Sequence, residues 1–97
     1  MGFRVIFAPQ AIERLSEIVR FVARDNPDTA MRFGNRLIDQ AQMLSSFPEL
    51  GSPYPKRPGV RRLRYRSYFI YYRIDHGRQT IEVLDYWHSA RREPELS

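Results

Sequence analysis

The chain has 97 residues, with 16 basic and 11 acidic side chains that give a formal net charge of +5 at pH 7. This length supports one core, so a single domain over residues 1–97 is expected. The lack of cysteine excludes disulfides, and the lack of an apolar run of about 18 residues excludes a membrane span. Because no secretion signal is visible either, a cytoplasmic location is expected. Lys56 is the single lysine and the other basic residues are arginine, which predicts an acidic partner, either nucleic acid or an acidic protein segment.

The N-terminal half predicts a strand followed by a helical hairpin. Residues 3–7, "FRVIF", are short, β-branched and aromatic, as in a strand. An amphipathic helix follows from Pro9, with Ile12, Leu15, Ile18, Val19 and Val22 on one face. "DNPD" ends it, and Asn26 is placed to cap a second helix that runs to about Ser46. The short connection predicts that the two helices lie antiparallel.

The C-terminal half predicts a three-stranded antiparallel meander. Residues 47–59 hold four prolines and two glycines and predict an irregular loop. Strands are expected at 60–66, 68–74 and 80–87, with His76-Gly77 supplying the positive φ of the last turn and "RREPELS" forming a short helix or tail. The expected fold is therefore α+β, in the order βααβββ, with the helices packed on one face of a mostly antiparallel sheet.

The alternation of side chains along these strands divides them between two faces. Four apolar or aromatic residues are expected to point toward the helices: Leu63, Ile70, Tyr72 and Ile74. Four others are expected on an open side: Arg62, Arg64, Tyr71 and Arg73. Arg61 falls near the core side, within reach of a carboxylate or a helix end. A slip of one residue would exchange the two faces.

Few residues offer catalytic chemistry. His76 and His88 are the only histidines, so no metal site and no cofactor are expected. A metal-free ribonuclease would need a cation, for which Arg61 or Arg73 could serve, and proton carriers, for which the candidates are His88, Tyr86 and Glu49.

Other roles remain open for several of these side chains. His88 could instead hydrogen-bond a backbone carbonyl at a strand end, or bind a partner. Trp87 could be a core residue or a contact. The arginines could form a solvated strand face, or a surface that binds phosphates and stacks bases.

Three segments in order, "FPELGSPYPKRPGVRRL", "YFIYYRID" and "IEVLDYWHSARREPEL", resemble the ParE branch of the RelE/ParE superfamily of type II toxins. The resemblance spans nearly the whole chain. It includes an arginine at Arg61, the Tyr72-Arg73-Ile74 strand end, and a final His-x-x-Arg at His88 and Arg91.

The resemblance implies a bacterial toxin that inhibits DNA gyrase by binding it and is neutralised by a cognate antitoxin with an acidic, amphipathic C-terminal segment. The alternatives are a RelE-like endonuclease that cleaves messenger RNA in the ribosome with Arg61, Arg73, Tyr86 and His88, and a non-toxic basic binding module. The primary interpretation assigns no catalytic residues. The expected partner-binding residues are Arg61, Arg62, Arg64, Tyr71, Arg73, Trp87, His88, Arg91 and Arg92.

Overall fold

The fold is seen in a computed structural model, which describes residues 2–96. The elements in chain order are β1 (Arg4–Phe7), α1 (Pro9–Ala23), α2 (Pro27–Met43), β2 (Ser52–Pro53), β3 (Arg61–Tyr65), β4 (Tyr68–Asp75) and β5 (Thr80–His88). The predicted α+β order is confirmed, and the three strands of the meander lie within one residue of their expected ends. Two details differ: α2 ends about one turn early, and the loop contains the two-residue strand β2.

The strands form one five-stranded sheet in the order β1-β5-β4-β3-β2. Neighbours from β5 to β2 are antiparallel, whereas β1 runs parallel to β5, with Arg4 opposite Thr80 and Phe7 opposite Val83. The helical hairpin carries the chain from β1 at one edge of the sheet to β2 at the other edge. The strands β3, β4 and β5 then return across the sheet to β1. The first and last strands of the chain are therefore paired.

The helical hairpin forms for the reasons that its sequence indicates. The Asn26 side chain accepts a hydrogen bond from the Thr29 N–H at 3.1 Å, which caps α2, and Pro27 occupies the first turn. Gly34 lets the helices approach closely, because a Cβ there would lie 2.7 Å from a methyl group of Val19. Over residues 2–96, neither helix is long and apolar enough to cross a membrane.

The main core lies between the helices and one face of the sheet. Ile18 and Leu37 of the helices pack with Ile70, Val83 and Tyr86 of the strands. The expected orientation of Leu63, Ile70, Tyr72 and Ile74 is confirmed, because all four pack in the clusters on the helix side. The predicted strand register is therefore the observed one.

The opposite face of the sheet is less open than predicted. Tyr71 is 1% exposed and Leu84 is 6% exposed, because Tyr54 and Val60 of the long loop pack over them. The segment after β5, residues 89–96, adds Leu96 to this second cluster and has no helical turn. We call this segment the tail. The tail therefore covers part of the sheet face that was predicted to be open.

Two local expectations were wrong. The turn between β4 and β5 places its positive φ at Gln79 (52°) and not at His76-Gly77, because the Asp75 carboxylate accepts the Arg78 N–H at 3.0 Å and lets the intervening residues keep ordinary angles. Arg61 reaches neither a carboxylate nor a helix end: its guanidinium donates to the Gly51 carbonyl at 2.7 Å and to the Glu49 carbonyl at 3.3 Å.

The proline-rich loop is thus held by side chains of the sheet. Besides the Arg61 contacts, the Tyr72 hydroxyl donates to the Pro48 carbonyl at 2.6 Å and accepts the Gly51 N–H at 3.0 Å. Any side chain at position 51 would collide with the Arg62 carbonyl, since a Cβ would lie 2.7 Å from that oxygen. Arg61 therefore stabilises the conformation of the proline-rich loop through its bonds to the Gly51 and Glu49 carbonyls.

Candidate functional site

Of the four candidates for RNA cleavage, Tyr86 and His88 line one groove, whereas Arg61 and Arg73 lie elsewhere on the sheet. Tyr86 is fully buried, and its hydroxyl donates to the Leu37 carbonyl at 2.9 Å. Burial raises the pKa of this phenol far above its ordinary value of 10, so it holds its proton. Arg73 pairs with Glu82 at 3.2 Å on the other face of the sheet. In β4 it lies five residues, or roughly 17 Å, from the residue opposite His88.

His88 lies half-buried at the end of β5. Its Nδ1 accepts the Ala90 N–H at 3.1 Å, which differs from the expected bond to a carbonyl and leaves Nε2 as the ring's proton donor. The ring meets Tyr68 edge-on, with centroids 5.0 Å apart. His88 therefore shapes a tight turn and also presents one nitrogen to its surroundings.

A groove of about 380 Å³ runs between α1 and the end of the sheet that carries His88. Its walls combine apolar and charged side chains, and Phe21 within it is 63% exposed. The residues that line it are Arg14, Glu17, Ile18, Phe21, Tyr68, Tyr86, His88 and Arg91. We call it the α1 groove. A large exposed ring in a groove suits the apolar side of a partner helix.

Trp87 stands beside the α1 groove with cations around its ring. The guanidinium carbons of Arg14 and Arg91 each lie 4.5 Å from the centroid of the ring, and the indole N–H donates to the Arg92 carbonyl at 2.5 Å. Trp87 is therefore both a packed residue and part of a basic surface. Arg91 and Arg92 are exposed beside it.

A second basic surface runs along β3. Arg62 lies 4.1 Å from the centroid of Phe69 and 5.2 Å from that of Tyr54, and Arg64 lies 5.5 Å from Phe69. We call Arg62 and Arg64 the arginine row. Stacking holds both guanidinium groups on the sheet while their remaining N–H donors can meet carboxylates. Tyr71, also predicted here, is buried and is not accessible to a partner.

The tail already brings one carboxylate to this side of the molecule. Glu93 accepts hydrogen bonds from the Tyr54 hydroxyl at 2.5 Å and from Lys56. Burial and the bond to Glu93 raise the pKa of Tyr54 to about 12, and the bonds from Lys56 and Tyr54 lower the pKa of Glu93. The tail is therefore attached by charge as well as by Leu96.

The sequence reasoning missed a buried polar network that joins α1 to β5. Asp85, which is 0% exposed, accepts hydrogen bonds from Gln10 at 2.7 Å and from Arg14 at 3.2 Å. Burial alone would lower the pKa of Arg14, but the bond and charge of Asp85 outweigh it and the pKa is raised. The signal was a lone carboxylate inside the apolar run "VLDYW", since such a group requires partners. Among residues 2–96, no three His, Asp or Glu side chains are arranged to hold a metal ion.

Comparison with known proteins identifies relatives along nearly the whole chain. The family model of the ParE toxin of the type II toxin-antitoxin system, parDE, matches residues 5–93. A relative from Sinorhizobium fredii (strain NBRC 101917 / NGR234), named "Putative toxin Y4kP", is 28% identical over 95 residues, which are 96% of this chain and 95% of the relative.

Two solved structures have the same fold. The toxin-antitoxin complex RelBE2 from Mycobacterium tuberculosis matches with a TM-score of 0.70 and 25% identity, over 91% of this chain and 99% of that one. The chromosomal ParDE system from P. aeruginosa matches with a TM-score of 0.74 and 21% identity, over 90% and 96% of the two chains. These likenesses confirm the RelE/ParE-like fold.

Proposed function

The chain belongs to the ParE toxin family of type II toxin-antitoxin systems, and from this membership we propose that it stops growth by binding DNA gyrase and is neutralised by a cognate antitoxin. Its role as a type II toxin follows from the family match and from the toxin relative. Gyrase as the target, the antitoxin's docking sites and a cytoplasmic location belong to the proposal.

The separation of both candidate cations, Arg61 and Arg73, from Tyr86 and His88 is the observation that favours gyrase over messenger RNA as the target. General acid-base cleavage needs a base, an acid and a cation within hydrogen-bond reach of one phosphate. Here Tyr86 is buried, Arg73 pairs with Glu82 on the opposite face, and Arg61 holds the loop. A protein that acts by binding needs only an accessible surface, and the turn after β5 provides one.

The gyrase-binding surface in this proposal is the end of β5 with the turn that follows. Trp87 and His88 are half-buried and held in place by their hydrogen bonds, and Arg91 and Arg92 project beside them. A held aromatic residue among exposed arginines is the type of anchor that carries binding energy in protein interfaces.

The antitoxin in this proposal uses the arginine row and the α1 groove, and the groove overlaps the gyrase-binding surface. The RelBE2 and ParDE structures are of toxin-antitoxin systems, which supports a cognate antitoxin for this chain. An amphipathic segment could place apolar side chains against Phe21 in the α1 groove and acidic ones against the arginine row. Because the α1 groove includes His88 and Arg91, a bound antitoxin would also block the surface assigned to gyrase.

The test is a gyrase assay with the purified full-length chain, relaxed or supercoiled plasmid and ATP. We expect lost supercoiling or trapped double-strand breaks, and we expect the Arg91→Ala/Arg92→Ala variant to reduce the effect at least tenfold. Arg4→Ala/Arg78→Ala is the matched control, since it removes the same charge at the opposite end of the sheet.

Two results would overturn the proposal. A folded chain that arrests cells, spares gyrase and cuts messenger RNA in translating ribosomes would be a RelE-like nuclease. A folded chain that leaves cells growing normally would be a basic binding module.

A further inference from the structure

The tip of the β3–β4 hairpin gathers guanidinium groups around one phenol. Arg66 donates from Nε to the Tyr65 hydroxyl at 3.3 Å, and the Arg36 side chain approaches the same oxygen from α2. These two cations lower the pKa of Tyr65. Arg64 lies alongside, with its Nε donating to the Arg66 carbonyl at 2.9 Å. Two elements distant in sequence thus direct cations at one oxygen atom.

These charges have no acidic counterpart in the part of the chain that the structure describes. The ion pairs within residues 2–96 use Arg14, Lys56 and Arg73 as their cations, and none uses Arg36, Arg64 or Arg66. Mutual repulsion of unpaired cations opposes folding unless a ligand compensates for it. The Tyr65 hydroxyl is the only oxygen acceptor that the fold gives the Arg66 side chain within that range.

Arg66 also keeps an unfavourable backbone conformation. Its φ of 54° lies in the left-handed region, which at a hairpin turn is ordinarily occupied by glycine or asparagine. An arginine that is retained there at a conformational cost points to a use for its side chain.

We propose that Arg36, Arg64 and Arg66 form a site for the phosphate backbone of duplex DNA. Guanidinium groups grip phosphates in a bidentate geometry, and such contacts do not depend on sequence. That these arginines bind phosphate does not depend on the proposed function. That the phosphate belongs to DNA does depend on it, because gyrase is an enzyme that holds duplex DNA. The site would let the toxin contact gyrase and its DNA together.

The surroundings of the site favour a duplex backbone over other polyanions. A protein segment would use apolar anchors, but none of the exposed large apolar side chains of residues 2–96 lies on β3, on β4 or between them. The two on α2, Met31 and Met43, are five and seven residues from Arg36. Single strands stack bases on free rings, and here the rings are occupied: Tyr65 packs on Phe33 at 6.2 Å, and Phe69 carries Arg62.

The test measures fluorescence anisotropy of a labelled 20-base-pair DNA duplex with the full-length chain over a range of salt concentrations. Arg36→Gln/Arg66→Gly removes two of the three cations. We expect the negative slope of log K against log salt to become less steep by about 1.8, at about 0.9 per phosphate contact. Arg4→Gln/Arg78→Gln loses the same net charge far from the site and should change the slope by less than about 0.5.

The same variants separate binding from folding and from gyrase inhibition. In Arg36→Gln/Arg66→Gly, the glycine relieves the left-handed strain at position 66. The thermal midpoint of this double variant should therefore equal or exceed that of the parent chain, while its DNA affinity falls. No gyrase is present, so the result stands apart from the inhibition assay. Three outcomes overturn the site. The first is an equal loss of DNA affinity in the two double variants, and the second is tighter binding of the parent chain to an RNA duplex of the same sequence than to DNA. The third uses poly-glutamate as an acidic peptide, and is an Arg36→Gln/Arg66→Gly variant that loses poly-glutamate binding and keeps DNA binding.

Discussion

Asp85 shows how one residue orients several others at the end of the sheet that carries His88. Its carboxylate is fully buried and is satisfied by Gln10, by Arg14 and by the backbone N–H of Tyr86 at 2.9 Å. Arg14 in turn stacks on Trp87 and lines the α1 groove. A single carboxylate thus ties the start of α1 to the strand that ends in His88.

The two partners of this ion pair should respond unequally to substitution. Arg14→Met leaves the Asp85 carboxylate buried without its cation and should lower the free energy of unfolding by about 3 kcal/mol. Asp85→Asn should cost only about 1 kcal/mol, because it keeps the shape and most hydrogen bonds, and because Arg14 is 22% exposed and can turn to water. Urea denaturation measures both, with Arg20→Met as the exposed control; equal costs would contradict this account.

At the scale of elements, the sequence predicted the features that depend on residues close together in the chain. The two helices, the Asn26 cap, the three long strands and their faces follow from periodicity and turn residues in short windows. The pairing of β1 with β5 and the closure by the tail depend on contacts between distant segments, as with Gln10 and Asp85, which are 75 residues apart. Burial of Tyr71 and Tyr86 could not be predicted for the same reason, since the elements that cover them lie elsewhere in the chain.

The tail should detach from the sheet in acid. Because its bonds lower the pKa of Glu93 below the ordinary value of 4.5, Glu93 stabilises the attached tail above that value and ceases to do so as the pH falls through its lowered pKa. Trp87, the only tryptophan, hydrogen-bonds the tail at Arg92, so its emission should shift to longer wavelength below about pH 4.5. Glu93→Gln should abolish this transition; a wild-type transition that persists in the variant would show that another group controls the tail.

The whole molecule separates its basic surfaces by position. The arginine row lies on β3, the turn after β5 carries Arg91 and Arg92, and the hairpin tip holds Arg36 and Arg66. The proposals assign the antitoxin to the first surface, gyrase to the second and DNA to the third. Two residues are shared, since Arg64 also belongs to the DNA site and Arg91 also lines the α1 groove. Substitutions that avoid the shared residues, such as Arg62→Ala, Arg92→Ala and Arg36→Gln/Arg66→Gly, should each affect one partner far more than the other two.

Antitoxin binding gives the most direct check of this separation. Arg62→Ala/Arg64→Ala removes two guanidinium groups that can form charge-assisted hydrogen bonds, so its affinity for the proposed cognate antitoxin should fall by about 2 kcal/mol or more, roughly thirtyfold. Isothermal titration calorimetry measures the loss, with Arg4→Ala/Arg78→Ala as the charge-matched control and thermal melts to verify folding. Arg36→Gln/Arg66→Gly should bind the antitoxin almost normally. An unchanged affinity for the arginine-row variant would remove the antitoxin from that surface, and equal losses in all three variants would mean that net charge, rather than position, governs recognition.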